Sequence, residues 1–300
     1  MQIGIVGLGR MGGNMARRLL RAGHRVAVHT RDREKVEAFR REGAAGADSP
    51  RELVQALAAR RVLLLMLPAG EPTEDMVRGL ADLLASGDIL IDGGNSFFRD
   101  DVRRAAALAP RGIRYLDAGV SGGIWGLKEG YCTMVGGERE AFEHIEPLLR
   151  DLAPPGGYLH CGPAGAGHFL KMVHNGIEYA LMEAYAEGFE LLQASPYGAS
   201  LDFARVAALW NRGSVIRSWL LELLEEAFRK DPRLEQLRGY VEDTGEGRWT
   251  VQQAVESGVE ATGIAHALFK RFDSRKQDTF ANRVLAALRA EFGGHAVKKT

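Results

Sequence analysis

Cysteine is nearly absent from this chain: there are two in 300 residues, Cys132 and Cys161. Neither lies in a CxxC or metal-ligand pattern, so the sequence offers no disulfide scaffold and no metal site, and it fits a reducing compartment. An excess of charge is missing too. Lys plus Arg and Asp plus Glu both number 39, which removes the global positive field that would draw in nucleic acid or an anionic membrane surface. No apolar run exceeds Val62–Leu67, which is strand length and far below the roughly 20 residues of a membrane span. The opening MQIGIVGLG lacks a basic region followed by a long apolar stretch, so no targeting leader is expected. Internal repeats and low-complexity tracts are lacking, and the basic pair Lys298-Lys299 is too short to carry meaning. These absences point to a soluble, cytoplasmic protein with a small-molecule ligand, no nucleic acid, no membrane and no metal.

What is present is the composition of a packed globular protein, 46% hydrophobic and 26% charged. At 300 residues the chain is long for one core, and two domains are expected. Residues 2–6, QIGIV, form a β-branched run leading into Gly7-Leu8-Gly9-Arg10-Met11-Gly12, and NMARRLLRAG then has helical periodicity. Strand, GxGxxG and helix in that order predict a dinucleotide site: Gly7 for the tight turn, Gly9 for approach to a pyrophosphate, Gly12 for close helix packing. Gly7, Gly9, Arg10, Met11 and Gly12 are therefore candidate cofactor residues, joined by Leu67 and Pro68 at the end of the strand VLLLML.

A second strand, His24 to Thr30, ends where the adenosine ribose belongs, at Thr30-Arg31-Asp32. A hydroxyl and a guanidinium can accept a 2′-phosphate, which favours NADP over NAD; the alternative is a solvated Arg31 with Asp32 on the ribose. Further on, Ser49-Pro50-Arg51-Glu52 reads as a capping-box start, Pro68-Ala69-Gly70 as a turn, and a helix is expected from about Glu74. Strand ILID at 89–92 follows. Alternating strands and helices predict an α/β Rossmann-type, doubly wound parallel sheet over 1–165. Asn95 in Gly93-Gly94-Asn95-Ser96, and Ser121 with Gly122 and Gly123 in GVSGG, fall after strand-like segments, where ligands collect.

From about residue 166 the strand pattern gives way to helices at roughly 167–194, 202–212, 214–230, 250–256, 261–273 and 276–291, predicting an all-α domain over 166–300 entered through a Gly165-Ala166-Gly167 hinge. Its first helix poses a question. Phe169, Leu170, Val173, Ile177 and Leu181 are apolar, yet Lys171, His174, Asn175 and Glu178 share one face at helical spacing. Such charges either pair, meet solvent, or address something bound.

GLGRMGGN at 7–14, DGGNS at 92–96, GVSGG at 119–123, GHFLKMVHNGIEY at 167–179 and FGGH at 292–295 together resemble the decarboxylating 6-phosphogluconate dehydrogenases, in their shorter form, over essentially the whole chain. The resemblance implies oxidation of 6-phosphogluconate to ribulose 5-phosphate and carbon dioxide by NAD(P), without metal. It answers the question of the stripe. A desolvated Lys171 with a depressed pKa would take the C3 hydroxyl proton, and Glu178, its pKa raised by partial burial, would protonate the enediol left by decarboxylation. By the same resemblance Asn95, Ser121, Gly122, Gly123, His174 and Asn175 orient the substrate or nicotinamide. Tyr179, Arg248, Arg271, Arg289 and His295 grip the phosphate, the last two reaching a neighbour's site in a homodimer or higher homo-oligomer.

One segment departs from the family. Where relatives read KGTGKW, this chain reads Thr244-Gly245-Glu246-Gly247-Arg248-Trp249, and an inward Glu246 would repel a dianion. The competing expectations are a related β-hydroxyacid dehydrogenase acting on a small unphosphorylated acid, for which Glu178 has no task, and a non-catalytic NADP-binding module.

Overall fold

A computed structural model describes residues 1–293 of the chain. They divide into two compact units, Met1–Asn175 and Gly176 onward. The first unit opens β1 (Gln2–Val6), α1 (Arg10–Arg21), β2 (Arg25–His29), α2 (Arg33–Arg41), β3 (Ala45–Gly46) and α3 (Pro50–Gln55). It continues β4 (Val62–Leu65), α4 (Glu71–Ala81), β5 (Ile89–Asp92), α5 (Phe98–Leu108) and β6 (Arg114–Ser121). It closes with α6 (Gly126–Glu129), β7 (Cys132–Gly137), α7 (Arg139–Leu152), β8 (Tyr158–Gly162) and the start of α8 (Ala166–Ala194). The eight strands form one sheet in the order β3-β2-β1-β4-β5-β6-β7-β8.

Strand runs such as VLLL and ILID are apolar at nearly every position because helices cover both sheet faces. Alternation sorts them. Ile3, Ile5, Val28, Leu64 and Ile91 join α1 and α7 in one core layer, while Val6, Leu63, Leu65 and Leu90 join α3 and α4 in the other. Ser49 Oγ accepts from the Glu52 amide and the Glu52 carboxylate accepts from the Asp48 amide, the expected capping arrangement displaced by one residue.

Several expectations shift. Helix α4 begins at Glu71 rather than near Glu74, since Pro72 sits in the first turn where its missing N–H costs nothing. The sheet is not wholly parallel: β7 runs antiparallel to β6, because the connection from Ser121 to Cys132 is too short for a crossover. Residues Gly119 to Ser121 lie inside β6 rather than after it. The Gly165-Ala166-Gly167 segment is where α8 begins. Gly167 lies in α8, and a Cβ there would stand 2.3 Å from Met134 O and 2.8 Å from Asp117 O, so the position serves close packing. For the same reason the first compact unit runs past 165 into α8.

The second unit is helical: the rest of α8, then α9 (Phe203–Trp210), α10 (Trp219–Lys230), α11 (Glu246–Ser257), α12 (Thr262–Asp273) and α13 (Phe280–Gly293). Residues 214–217, expected as helix, precede the N-cap Ser218 and stay outside α10, and α11 starts earlier than expected, at Glu246. Phe189, Phe203, Leu221 and Phe228 form one small core, with the Phe189 and Phe228 rings 5.0 Å apart; Tyr179, Ala267 and Leu268 form another. No helix among the described residues is long and apolar enough to cross a membrane.

Candidate active site

The nucleotide end is built by β1 and α1. A Cβ on Gly7, whose φ is +96°, would fall 2.4 Å from Met66 O, and one on Gly12 would fall 2.1 Å from Gly7 O. Only glycine fits either position. Gly9 is the N-cap of α1, no side chain caps the helix, and nothing lies within 4 Å of where its Cβ would be. The first amides of α1 are thus open to an anion, with the positive end of the helix behind them. This cradle fits the pyrophosphate of a dinucleotide. Arg10 is exposed and Met11 half-buried beside it.

A cavity of about 800 Å³ continues from the cradle, lined by Gly7, Thr30, Arg31, Ser49, Arg51 and Leu67 among others. Arg51, a cation not among the expected cofactor residues, lines the same cavity as Arg31. Asp32 caps α2, accepting from the Lys35 amide, and that bond holds its carboxyl below the usual range despite some desolvation. Pro68 lies at the following turn, where its carbonyl accepts from Thr73 Oγ1.

Beyond β5, Asn95 is exposed between buried Gly94 and buried Ser96. Asp92 holds this turn from below, accepting from the Gly94 amide at 3.0 Å and Ser96 Oγ at 2.6 Å. Asp117, beside Asp92 in the sheet register, accepts from the Gly165 and His168 amides at 2.6 and 2.8 Å. It is a cap for α8 supplied from a strand far away in sequence. Gly119 then lets that helix lie on β6: a Cβ there would stand 2.4 Å from Lys171 Cβ.

Lys171 is accordingly buried, 6% exposed. Its Nζ lies 3.4 Å from His174 Nδ1, which is 3.1 Å from Asn175 Oδ1. The stripe is therefore buried at Lys171 and Asn175 and half-buried at His174. Ser121 and Gly122 are half-buried and Gly123 is exposed at the end of β6. Sequence reasoning missed the layer beneath, Asp92, Asp101, Arg104, Tyr115, Asp117 and His168, all buried. The signal for it was polar residues at strand ends and within an otherwise apolar helix motif.

In the second unit Glu178 is half-buried and Tyr179 buried. The Arg271 guanidinium lies 3.6 Å above the Tyr179 ring and donates to Glu242 O. These two residues expected at a phosphate do meet. Arg248 is turned otherwise: with Arg275 it holds Asp243, whose carboxyl is pulled down to about 2 by those hydrogen bonds, Arg248 first. Glu246 is 2% exposed, its Oε2 on the Thr244 hydroxyl and its Oε1 without a hydrogen-bond partner. Arg289 is exposed on α13, and His295 lies outside the described residues.

A mostly parallel sheet with a bare helix N-terminus at a glycine cradle, followed by a helical unit, defines an NAD(P)-dependent oxidoreductase. A family model described as the NAD binding domain of 6-phosphogluconate dehydrogenase matches residues 2–162, and one described as the 6-phosphogluconate dehydrogenase C-terminal domain matches residues 167–298. The chain belongs to the 6-phosphogluconate dehydrogenase family. It is 44% identical over 301 residues to the NAD(+)-dependent, decarboxylating 6-phosphogluconate dehydrogenase of Haloferax volcanii, covering 100% of this chain and 99% of that one. Among solved structures it is similar to Plasmodium falciparum 6-phosphogluconate dehydrogenase, determined apo, with NADP+ and with 6-phosphogluconate (TM-score 0.84, 26% identity, 100% of this chain and 66% of that one). It is also similar to the 3-hydroxyisobutyrate dehydrogenase of Mycobacterium tuberculosis (TM-score 0.74, 25% identity, 96% and 99%).

Proposed function

We propose that the protein oxidatively decarboxylates 6-phosphogluconate to ribulose 5-phosphate and carbon dioxide, with a preference for NADP. The observation that carries this reading is the buried Lys171 on an uninterrupted α8 that also bears Glu178 seven residues later, about 10 Å along the axis. A bound nicotinamide would supply the hydride acceptor for C3. Lys171 takes the C3 hydroxyl proton, which leaves a ketone β to the carboxylate. As the C1–C2 bond breaks, the protonated ammonium of Lys171 stabilises the oxygen that receives its electrons. Glu178 then delivers a proton to the carbon that lost carbon dioxide, which becomes C1 of the product; oxidation alone would give it no task. Asn95, Ser121, Gly122, Gly123, His174 and Asn175 orient the sugar acid, and Tyr179 with Arg271 addresses the phosphate. Thr30 and Arg31, with Arg51 nearby, offer donors for a 2′-phosphate.

Arg289 and His295 are proposed to act on the site of a second copy, so that the working unit is at least a homodimer. Mixing inactive Lys171→Met and Arg289→Ala protomers should restore partial activity. Confirmed subunit exchange with none restored defeats the shared site.

A second reading is favoured by Glu246 and by the pairing of Arg248 with Asp243: a small unphosphorylated hydroxy acid as substrate, as the name of the M. tuberculosis relative suggests for that protein. One assay separates the two. Dinucleotide reduction with 6-phosphogluconate, stoichiometric with trapped carbon dioxide, supports the first reading; reduction with 3-hydroxyisobutyrate alone, without carbon dioxide, supports the second.

A further inference from the structure

His168 is buried, and both of its ring nitrogens are engaged. Nε2 lies 2.7 Å from Gly94 O and Nδ1 lies 2.7 Å from Asp101 Oδ2. A carbonyl only accepts, so Nε2 carries a proton. Asp101 in turn takes the Tyr115 hydroxyl on Oδ1 at 2.7 Å, and Asp92 takes Arg104 Nη1 at 3.0 Å. Carboxylates and their donors thus form one buried network at the Asn95 turn. The turn is fixed at three points: the Gly94 amide and Ser96 Oγ by Asp92, and the Gly94 carbonyl by His168. Because the peptide is planar and trans, anchoring the Gly94 carbonyl on one side turns the Asn95 amide to the other. His168 is also three residues before Lys171, one turn of α8.

We propose that His168, bonded to both Asp101 and Gly94 O, is a positioning residue that locks the Asn95 turn to the helix carrying Lys171 and so sets the distance between substrate-orienting group and base. The proposal rests on the reading of Asn95 and Lys171 given above. Its electrostatics are consistent. Burial lowers the His168 pKa and raises that of the Asp101 carboxyl, but at His168 the Asp101 charge and hydrogen bond, helped by Asp92 and Asp117, outweigh burial and push it up to about 9. Tyr115 remains a phenol, since burial and the carboxylates raise its pKa. The groups facing His168 are then Asp101 and Arg104 from α5, Asp92 from β5, and Asp117 and Tyr115 from β6. With a folded pKa above the ordinary 6.5, the stabilisation by the pair is full below about pH 6.5 and is lost as pH rises through about 9.

The test uses His168→Gln, which keeps one donor and loses the charge, and the isosteric Asp101→Asn. For His168→Gln we expect an unchanged NADP dissociation constant and a kcat lowered about tenfold to hundredfold, the scale of an ångström-level misplacement. For Asp101→Asn the alkaline fall of kcat should move to lower pH, because burial then acts on His168 without its counter-charge. Wild-type kcat and pH profile in both folded variants would overturn the lock; if His168→Gln does not fold, the Asp101→Asn profile alone decides. Should the wild type fail to turn over 6-phosphogluconate, the substrate reading falls but the lock is still tested by NMR titration of isotopically labelled histidine. A His168 imidazole titrating near pH 9, and lower in Asp101→Asn, supports it; titration near 6.5 in the wild type overturns it.

Discussion

In the sheet unit the buried ionisable groups Asp92, Asp101, Arg104, Asp117 and His168 all have hydrogen-bond partners within 3.0 Å, and together they fix a loop and a helix start. In the helical unit Glu246 is as deeply buried, yet Oε1 has no partner, and large apolar side chains such as Val215, Val255 and Phe280 stand 98%, 77% and 74% exposed. One unit settles its geometry by internal bonding. The other leaves a buried carboxylate oxygen unmet and single large apolar side chains exposed. The difference teaches where to expect rigidity: at the loop held by Asp92 and the helix start held by Asp117.

The largest expected effect comes from removing the anchored base. Lys171→Met should lower kcat about thousandfold or more, within the range of general-base loss, while the NADP dissociation constant measured by fluorescence stays within about threefold. Near-normal turnover would detach the chemistry from the sheet unit altogether. In the helical unit Glu178→Gln should cost about a hundredfold in kcat and slow solvent deuterium incorporation at C1 of the product. Wild-type incorporation would leave that unit without a proton donor on this helix.

A smaller effect is expected at the nucleotide end. Thr30→Asp places a carboxylate where a 2′-phosphate would sit and should shift the ratio of kcat/KM for NADP over NAD by about tenfold or more toward NAD. An unchanged ratio means the phosphate is not read there. The smallest pair sharpens the comparison through α8 itself. Gly167→Ala meets Met134 O at 2.3 Å and should destabilise by about 1–3 kcal/mol, whereas Gly188→Ala, with nothing within 4 Å, should stabilise by up to about 1 kcal/mol. Thermal unfolding of both variants checks this, and equal signs would contradict the contrast between a packed and an open stretch of one helix.

The sequence by itself determined the glycine cradle at 7–12, the buried parallel strands, the switch to helices near residue 166 and the polar stripe from Lys171 to Glu178. Local spacing decides each of these: period, turn chemistry and the absence of a Cβ are properties of neighbouring residues. The tertiary structure alone decided that β7 runs antiparallel, that Gly167 packs against Met134 and Asp117, and that Asp117 caps a helix from a distant strand. It alone placed Arg51 in the same cavity as Arg31, turned Arg248 toward Asp243 and placed His168 between Asp101 and Gly94. These contacts join residues far apart in sequence, and their geometry depends on which strand lies beside which; spacing along the chain carries no record of that.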